Sequence, residues 1–230
     1  VVATVRALKM HGGVPRDELQ QENVAALQRG LENLGRHIHN TGQHGVPIAV
    51  AINHFTSDTQ AEIEAISDYV EKRGVKAYVC RHWQDGGAGA TELAQAVVEL
   101  TASGHAQLRT LYDDDMSLWE KVRTVARQVY GADDIAADKQ VRDQFRQYES
   151  EGYGHFPICM AKTQYSFSTD PKLMGAPRNH MVTIRELSLA AGAEFLVVIC
   201  GDIMRMPGLP RNPAANSIFV NEQGQIEGLF

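Results

Sequence analysis

Val1-Val2-Ala3-Thr4-Val5-Arg6-Ala7-Leu8-Lys9-Met10-His11-Gly12-Gly13 opens the chain, and its reading decides the fold. A β-branched run, Val1 to Val5, passes into a polar stretch closed by glycines, the pattern of a buried strand that delivers a loop to the edge of an α/β sheet. The same order recurs twice: Val46 to Ile52 leads into Asn53 to Asp58, and Val75 to Cys80 leads into Arg81 to Ala90. Each polar loop, Arg6 to Asp17 being the first, is followed by a helix-like segment. Strands joined by helices pair in parallel, so all three loops are expected at the carboxyl edge of one sheet, where open α/β sheets bind their ligands. A strand of this kind does not stand alone, and a Val-Val opening without methionine reads as the carboxyl-terminal part of something larger.

Boundary signals agree with that order. Gly45 and Gly74 each sit between a helical pattern and the next valine, where a left-handed cap is expected. Thr59-Gln60-Ala61-Glu62 is a capping box, after which Ile63, Ile66 and Val70 share one helix face. Around Gly104 the pattern changes. Ser117-Leu118-Trp119-Glu120 reads as a second capping box opening a helix with Val122, Val125, Ala126 and Val129 inward and Gly131 beyond its end. A helix over Ala137 to Ser150 would bury Val141, Phe145 and Tyr148. Strands follow at Pro157 to Lys162, Met181 to Leu187 and Glu194 to Cys200, and a hairpin closes the chain around Asn221-Glu222-Gln223-Gly224. A boundary near residues 103 to 112 would divide an α/β unit, 1–105, from a smaller α+β domain, 106–230.

Composition narrows the function. At 43% apolar and 22% charged, 230 residues suffice for one large or two small cores, which excludes disorder. No run approaches the roughly 18 apolar residues of a membrane span, and the amino terminus lacks a secretory pattern, so the expected address is the cytoplasm. Three cysteines, Cys80, Cys159 and Cys200, lie far apart in apolar runs and are expected as reduced core residues. A net charge of −6 argues against a nucleic-acid surface while leaving small anionic substrates open. His37 and His39 are two apart on a helix, and neither HExxH nor a Cys/His cluster appears, so no metal site is expected. GxSxG is absent, leaving nucleophilic catalysis without a candidate, and the absence of GxGxxG disfavours a dinucleotide dehydrogenase.

The loops carry the candidate chemistry. Asn53-His54-Phe55 closes the second strand and Arg81-His82-Trp83 the third, so an aromatic ring stands in each of two neighbouring loops. Two such rings clamp a flat heterocycle, or else pack on each other or on the second domain. Asn53 can bond a purine edge or cap a turn. Asp85-Gly86-Gly87-Ala88-Gly89-Ala90 reads as a phosphate cradle or as a flexible loop letting Trp83 close over a ligand. Arg6, Lys9 and His11 ahead of Gly12-Gly13 form a cationic group suited to an acyl phosphate or carboxylate, or simply a solvated loop. Further on, the Cys159 to Ser166 and Gly201 to Pro210 stretches read as packing corners or as the far wall of a cleft between domains.

Together with Val50-Ala51-Ile52-Asn53, Tyr130-Gly131-Ala132-Asp133, Pro157-Ile158-Cys159-Met160-Ala161-Lys162-Thr163-Gln164-Tyr165-Ser166, Met206-Pro207-Gly208-Leu209-Pro210 and Gly228-Leu229-Phe230, the opening motif resembles the carboxyl-terminal part of the formate tetrahydrofolate ligases (10-formyltetrahydrofolate synthetases) from end to end. The resemblance implies part of a P-loop-NTPase-like parallel sheet and an enzyme of one-carbon metabolism. Such an enzyme phosphorylates formate with MgATP and passes the formyl group from formyl phosphate to N10 of tetrahydrofolate. It also implies a homotetramer activated by a monovalent cation, a pterin sandwiched by Phe55 and Trp83, and a nucleotide region near Asn53. The departure is that no GxxxxGK[ST] occurs in the sequence, so the phosphate-binding lysine would belong to a missing amino-terminal half. This chain alone is then expected not to make formyl phosphate, to expose a hydrophobic sheet edge and to fold poorly. His82 and Gln84-Asp85 beside Trp83, and His155-Phe156 before Pro157, are smaller departures that bear on the folate contacts. The alternative is a non-catalytic folate-binding or assembly module descended from the ligase.

Overall fold

A computed structural model describes residues 1–203 and 211–228. The first sheet is parallel, in the order β1 (Val2–Ala3), β2 (Ala49–Asn53), β3 (Lys76–Cys80). Period-two alternation sorts the residues of β2 between its faces. Val50 and Ile52 are buried with Leu27, Leu31, Leu34 and Ile38 of one helix (Val24–Gly42) and Ile63, Ile66 and Val70 of another (Gln60–Glu71). Ala49 and Ala51 face Val97 and Leu100 of a third helix (Thr91–Ala102) across an apolar groove. Val2, on the edge strand β1, is 72% exposed.

The expected boundaries at Thr59, Gly45 and Gly74 are observed. The Glu62 N–H donates to Thr59 Oγ1 at 3.3 Å and the Thr59 N–H to Glu62 Oε2 at 3.2 Å, a complete capping box. Gly45 and Gly74 turn the chain into β2 and β3 with φ of +68° and +71°.

The opening differs from its sequence pattern. Strand β1 stops at Ala3, and Val5–His11 forms a helix, α1, where a polar loop over Arg6 to Asp17 was expected. Thr4 causes the change, since its hydroxyl accepts from the Ala7 N–H at 3.2 Å and caps the helix. Val5 and Leu8 then turn inward with helical spacing. The helix over Val24–Gly42 is α2, and α1 lies against it at backbone contact. A Cβ on Gly12 would stand 1.8 Å from the Ala26 carbonyl oxygen, and one on Gly30 1.8 Å from that of Leu8. Gly12 is therefore a packing residue, and its carbonyl accepts from Arg29 Nη2 at 3.0 Å.

Arg81 to Ala90 is likewise no open loop. With α3 the helix over Gln60–Glu71, this segment forms α4 (His82–Asp85) and a 3₁₀ turn, Gly86–Ala90, before α5 (Thr91–Ala102). The Arg81 N–H donates to the Gly89 carbonyl at 2.9 Å, and a Cβ on Gly89 would stand 2.5 Å from the Arg81 carbonyl carbon. The glycines let the segment close on itself.

The second sheet is mixed, in the order β4 (Asp134–Ala137), β6 (Met181–Ala190), β7 (Phe195–Cys200), β5 (Ile158–Ala161), with only β6 and β7 antiparallel. Leu118, Val122 and Ala126 of α6 (Leu118–Gln128) and Val141 and Phe145 of α7 (Lys139–Ser150) cover it. Val125 and Val129 are only half-buried. Ser117 Oγ accepts from the Glu120 N–H at 3.3 Å, but the Glu120 carboxylate turns to Arg123, so that box is half-formed. Cys80 and Cys200 are buried, whereas Cys159 is exposed: β5 is an edge strand, and Cys159 alternates with Ile158 and Met160, which pack on the core. A hairpin of β8 (Phe219–Val220) and β9 (Ile226–Glu227) closes around Asn221, as its sequence pattern indicates. Met204 to Pro210 and Leu229-Phe230 lie outside the described residues.

The glycine contacts predict that Gly30→Ala destabilises the chain even though alanine favours a helix by about 1 kcal/mol. Forcing a methyl into a backbone contact costs about 1 to 3 kcal/mol or more, so a net loss of roughly 2 kcal/mol is expected in urea unfolding. A gain in stability would show that α1 and α2 do not touch here.

Candidate functional site

The site is built where β2 and β3 end. Asn53 pairs with Cys80 on the last rung, and the His54 N–H extends the ladder to the Cys80 carbonyl at 3.1 Å. Phe55 is the next residue, and its N–H donates to Asp58 Oδ2 at 2.8 Å, which fixes the turn. Burial pushes the Asp58 carboxyl above its ordinary range, against the Phe55 N–H and nearby His54. The Phe55 ring is 39% exposed and the Trp83 indole, on α4, is 90% exposed. They follow the ends of neighbouring strands, and no ring contact joins them among the described residues. An indole that open is not packed against the second half of the chain.

Phe55 also walls a cleft of about 400 Å³ together with Thr4, Arg6, Met10, Arg16 and Leu19. The Arg6 guanidinium carbon lies 5.5 Å from the Phe55 ring centroid, and that of Arg16 lies 5.9 Å from Tyr165. A flat ligand carrying an anionic group suits such a wall, because the ring offers a face and the arginine a charge. Arg16 escapes the sequence reading; its only signal is the Pro15-Arg16-Asp17 turn that begins a 3₁₀ segment.

The other members of the opening motif lie apart from this cleft. Lys9 is 1% exposed, with Nζ 2.9 Å from Glu62 Oε1 and 2.8 Å from the Gln21 carbonyl. Burial works against ionisation of Glu62, yet the Asn23 and Thr59 N–H groups and Lys9 together hold its carboxyl below the ordinary range. His11 Nδ1 accepts from the Gly175 N–H at 3.2 Å, and burial, then His37, lowers its pKa. Gly12 lies in the helix seam, and Gly13 follows it with φ of +96°. Gly86, Gly87 and Ala88 are exposed in the 3₁₀ turn that leads from α4 into α5.

Within the Cys159 to Ser166 stretch Ser166 is buried and Lys162 half-buried, while Cys159, Gln164 and Tyr165 are exposed. Lys162 Nζ donates to the Thr163 and Ser166 carbonyls and stands 4.9 Å from the Tyr130 ring centroid, and burial pushes its pKa down to about 8. The chain beyond it docks on α2, where Phe167 lies 4.8 Å from His37 and Asn33 Nδ2 donates to the Gly175 carbonyl at 2.9 Å.

A family model described as formate-tetrahydrofolate ligase matches residues 1–230. The chain is 60% identical over 230 residues to the formate-tetrahydrofolate ligase of Sinorhizobium fredii, 60% to that of Rhizobium rhizogenes and 57% to that of a Ruegeria species. In each case the match covers 100% of this chain and 41% of the relative. The chain thus spans about two fifths of the length of the curated relatives it matches, in their carboxyl-terminal part.

The buried pair makes a stability prediction. Lys9→Met leaves the Glu62 charge without its ammonium and should cost about 3 to 5 kcal/mol in chemical unfolding; adding Glu62→Gln, which removes the unpaired charge and keeps an acceptor for one of the two N–H groups, should recover part of it. Because the folded carboxyl lies below its ordinary value of 4.5, the stability it confers is complete above that pH and is lost as the pH falls through the lower folded value. Glu62→Gln should flatten that acid limb, and an unchanged limb would contradict the assignment.

Proposed function

Because the chain belongs to the formate-tetrahydrofolate ligase family, we propose that it supplies the tetrahydrofolate-holding edge of an ATP-dependent ligase joining formate to tetrahydrofolate. One observation carries this reading: two solvent-open rings, Phe55 and Trp83, leave adjacent parallel strands just beyond the same rung. In this reading the rings stack on opposite faces of the pterin, and Asn53 borders the nucleotide.

In the overall reaction a formate oxygen attacks the γ-phosphorus of MgATP and ADP leaves, giving formyl phosphate. N10 of tetrahydrofolate then attacks the formyl carbon, phosphate departs and 10-formyltetrahydrofolate results. Both steps place negative charge on oxygens, which positioned cations and N–H groups stabilise. Arg6, beside Phe55, is the cation we assign to the phosphate or formate side, with Lys9, His11, Gly12 and Gly13 as the packed support that holds α1 in place. The phosphate grip and its lysine are assigned to a part of the ligase outside this chain, since GxxxxGK[ST] is absent from the sequence. The first sheet is then a portion of a P-loop-NTPase-like sheet.

A cytoplasmic homotetramer belongs to the same reading; among the described residues no helix is long and apolar enough to cross a membrane. So does activation by a monovalent cation. No group of three or more acidic, histidine or cysteine side chains suited to a metal occurs among the described residues, so that ion is assigned to no residue here.

Titration of tetrahydrofolate should show Trp83→Ala and Phe55→Ala each weakening binding by about 1 to 3 kcal/mol, the loss of one stacking wall. Unchanged affinity in both would remove the pterin assignment. Incubated with MgATP and formate, the isolated chain should show no turnover; clear turnover would place the phosphate grip within these residues.

A further inference from the structure

Away from the edge that carries Phe55 and Trp83, a cleft of about 440 Å³ opens between α2, the end of α3, the end of α6 and the segment leading into β6. Its wall brings four guanidinium groups, Arg36, Arg73, Arg127 and Arg178, together with Tyr69 and a single carboxylate, Glu32. Arg127 is ion-paired with Asp134 at 3.2 Å and donates to the Asp133 carbonyl at 2.9 Å. Arg73 lies over the Tyr69 ring, its guanidinium carbon 3.5 Å from the centroid, and donates to the Tyr69 carbonyl at 3.1 Å. Asp134 is shared with Arg123, which also pairs with Glu120; with Asp134 and Glu120 set against Arg123 and Arg127, and Glu32 against one of the other three arginines, two positive charges remain.

Two donors in this wall lack acceptors. Arg36 Nη1 and Tyr69 Oη are buried and have no hydrogen-bond partner among the described residues. Both occupy places that only glycine leaves open: a Cβ on Gly131 would stand 2.1 Å from Arg36 Nη1, and one on Gly35 2.4 Å from Tyr69 Oη. Burial, then the neighbouring Arg178 charge, lowers the Arg36 pKa, with Glu32 opposing. Like charges gathered along one wall are unfavourable unless an anion enters between them.

We propose that this cleft binds a compact multivalent oxyanion, with Arg36 and Arg178 as its principal charged donors and Arg73 completing the site. Guanidinium forks match phosphate and carboxylate oxygens bidentately, and the volume is that of a small-molecule site. The site stands on its own geometry and does not depend on the tetrahydrofolate assignment.

Calorimetric titration of the 230-residue chain with pyrophosphate and, separately, with citrate tests it, with ionic strength held constant by sodium chloride. At least one should bind with a submillimolar dissociation constant; pyrophosphate alone would identify a phosphoryl ligand, citrate alone a polycarboxylate, and both a general oxyanion site. Arg36→Gln and Arg178→Gln should each weaken binding about tenfold, while Glu32→Gln should tighten it several-fold. The opposite signs separate a binding effect from damage to the fold, which circular dichroism of each variant checks independently. Absence of binding by both probes, or affinities that none of the three substitutions moves, would overturn the proposal.

Discussion

A single buried carboxylate organises the end of the molecule where the first sheet presents its loops. Glu62, at 0% exposure, accepts from the Lys9 ammonium at 2.9 Å, the Asn23 N–H at 2.9 Å and the Thr59 N–H at 3.2 Å. A charge so deep in the protein is tolerated because every approach to it is occupied by a donor. Those donors belong to α1, to the cap of α2 and to the cap of α3, so one side chain sets how three helices meet. The position of α1 in turn places Arg6 beside Phe55.

Helix α2 is the other fixed element, and it has two partners. One face buries Leu27, Leu31, Leu34 and Ile38 on the first sheet, and the helix receives α1 at backbone contact across Gly12 and Gly30. Elsewhere it receives the second half: Asn33 bonds the Gly175 carbonyl, His37 meets Phe167, and Asn40 Nδ2 donates to the Val129 carbonyl at 2.9 Å. Polar side chains on an otherwise solvated helix face thus serve as docking points. The arginine-lined cleft follows from that docking, since Arg36 on α2 meets Arg178 only when the second half is in place.

Much of the architecture was legible because local rules and tertiary packing agree. The parallel order of three strands, the capping box at Thr59, the left-handed glycines at 45 and 74, and the hairpin and last three longer strands of the second half are each signalled within a short window, whereas β4 (Asp134–Ala137) falls where no strand was expected and takes Ala137 from the expected helix. The opening segment misleads because Val1 to Val5 has the composition of a strand, while the hydroxyl of Thr4 and the spacing of Val5, Leu8 and Gly12 satisfy a helix. Period 3.6 was present in the residues but outweighed by a β-branched run. Cys159 misleads for another reason, as an apolar strand does not announce that it lies at an edge.

The candidate site divides in the same way. Aromatic residues just past two strand ends are visible in the chain itself, because strand order and alternation determine which loops share an edge; Phe55 and Trp83 needed nothing more. What Lys9 does could not be read, because its partner Glu62 is 53 positions away and turns a cation suited to an oxyanion into a buried tie. Nor could Arg36 be set beside Arg178 across 142 residues. Local sequence determined the secondary elements and the edge where they deliver their loops. Only tertiary structure decided which charges are consumed in pairing and which stay available, since burial and Coulomb interaction depend on distances through space that sequence separation does not encode.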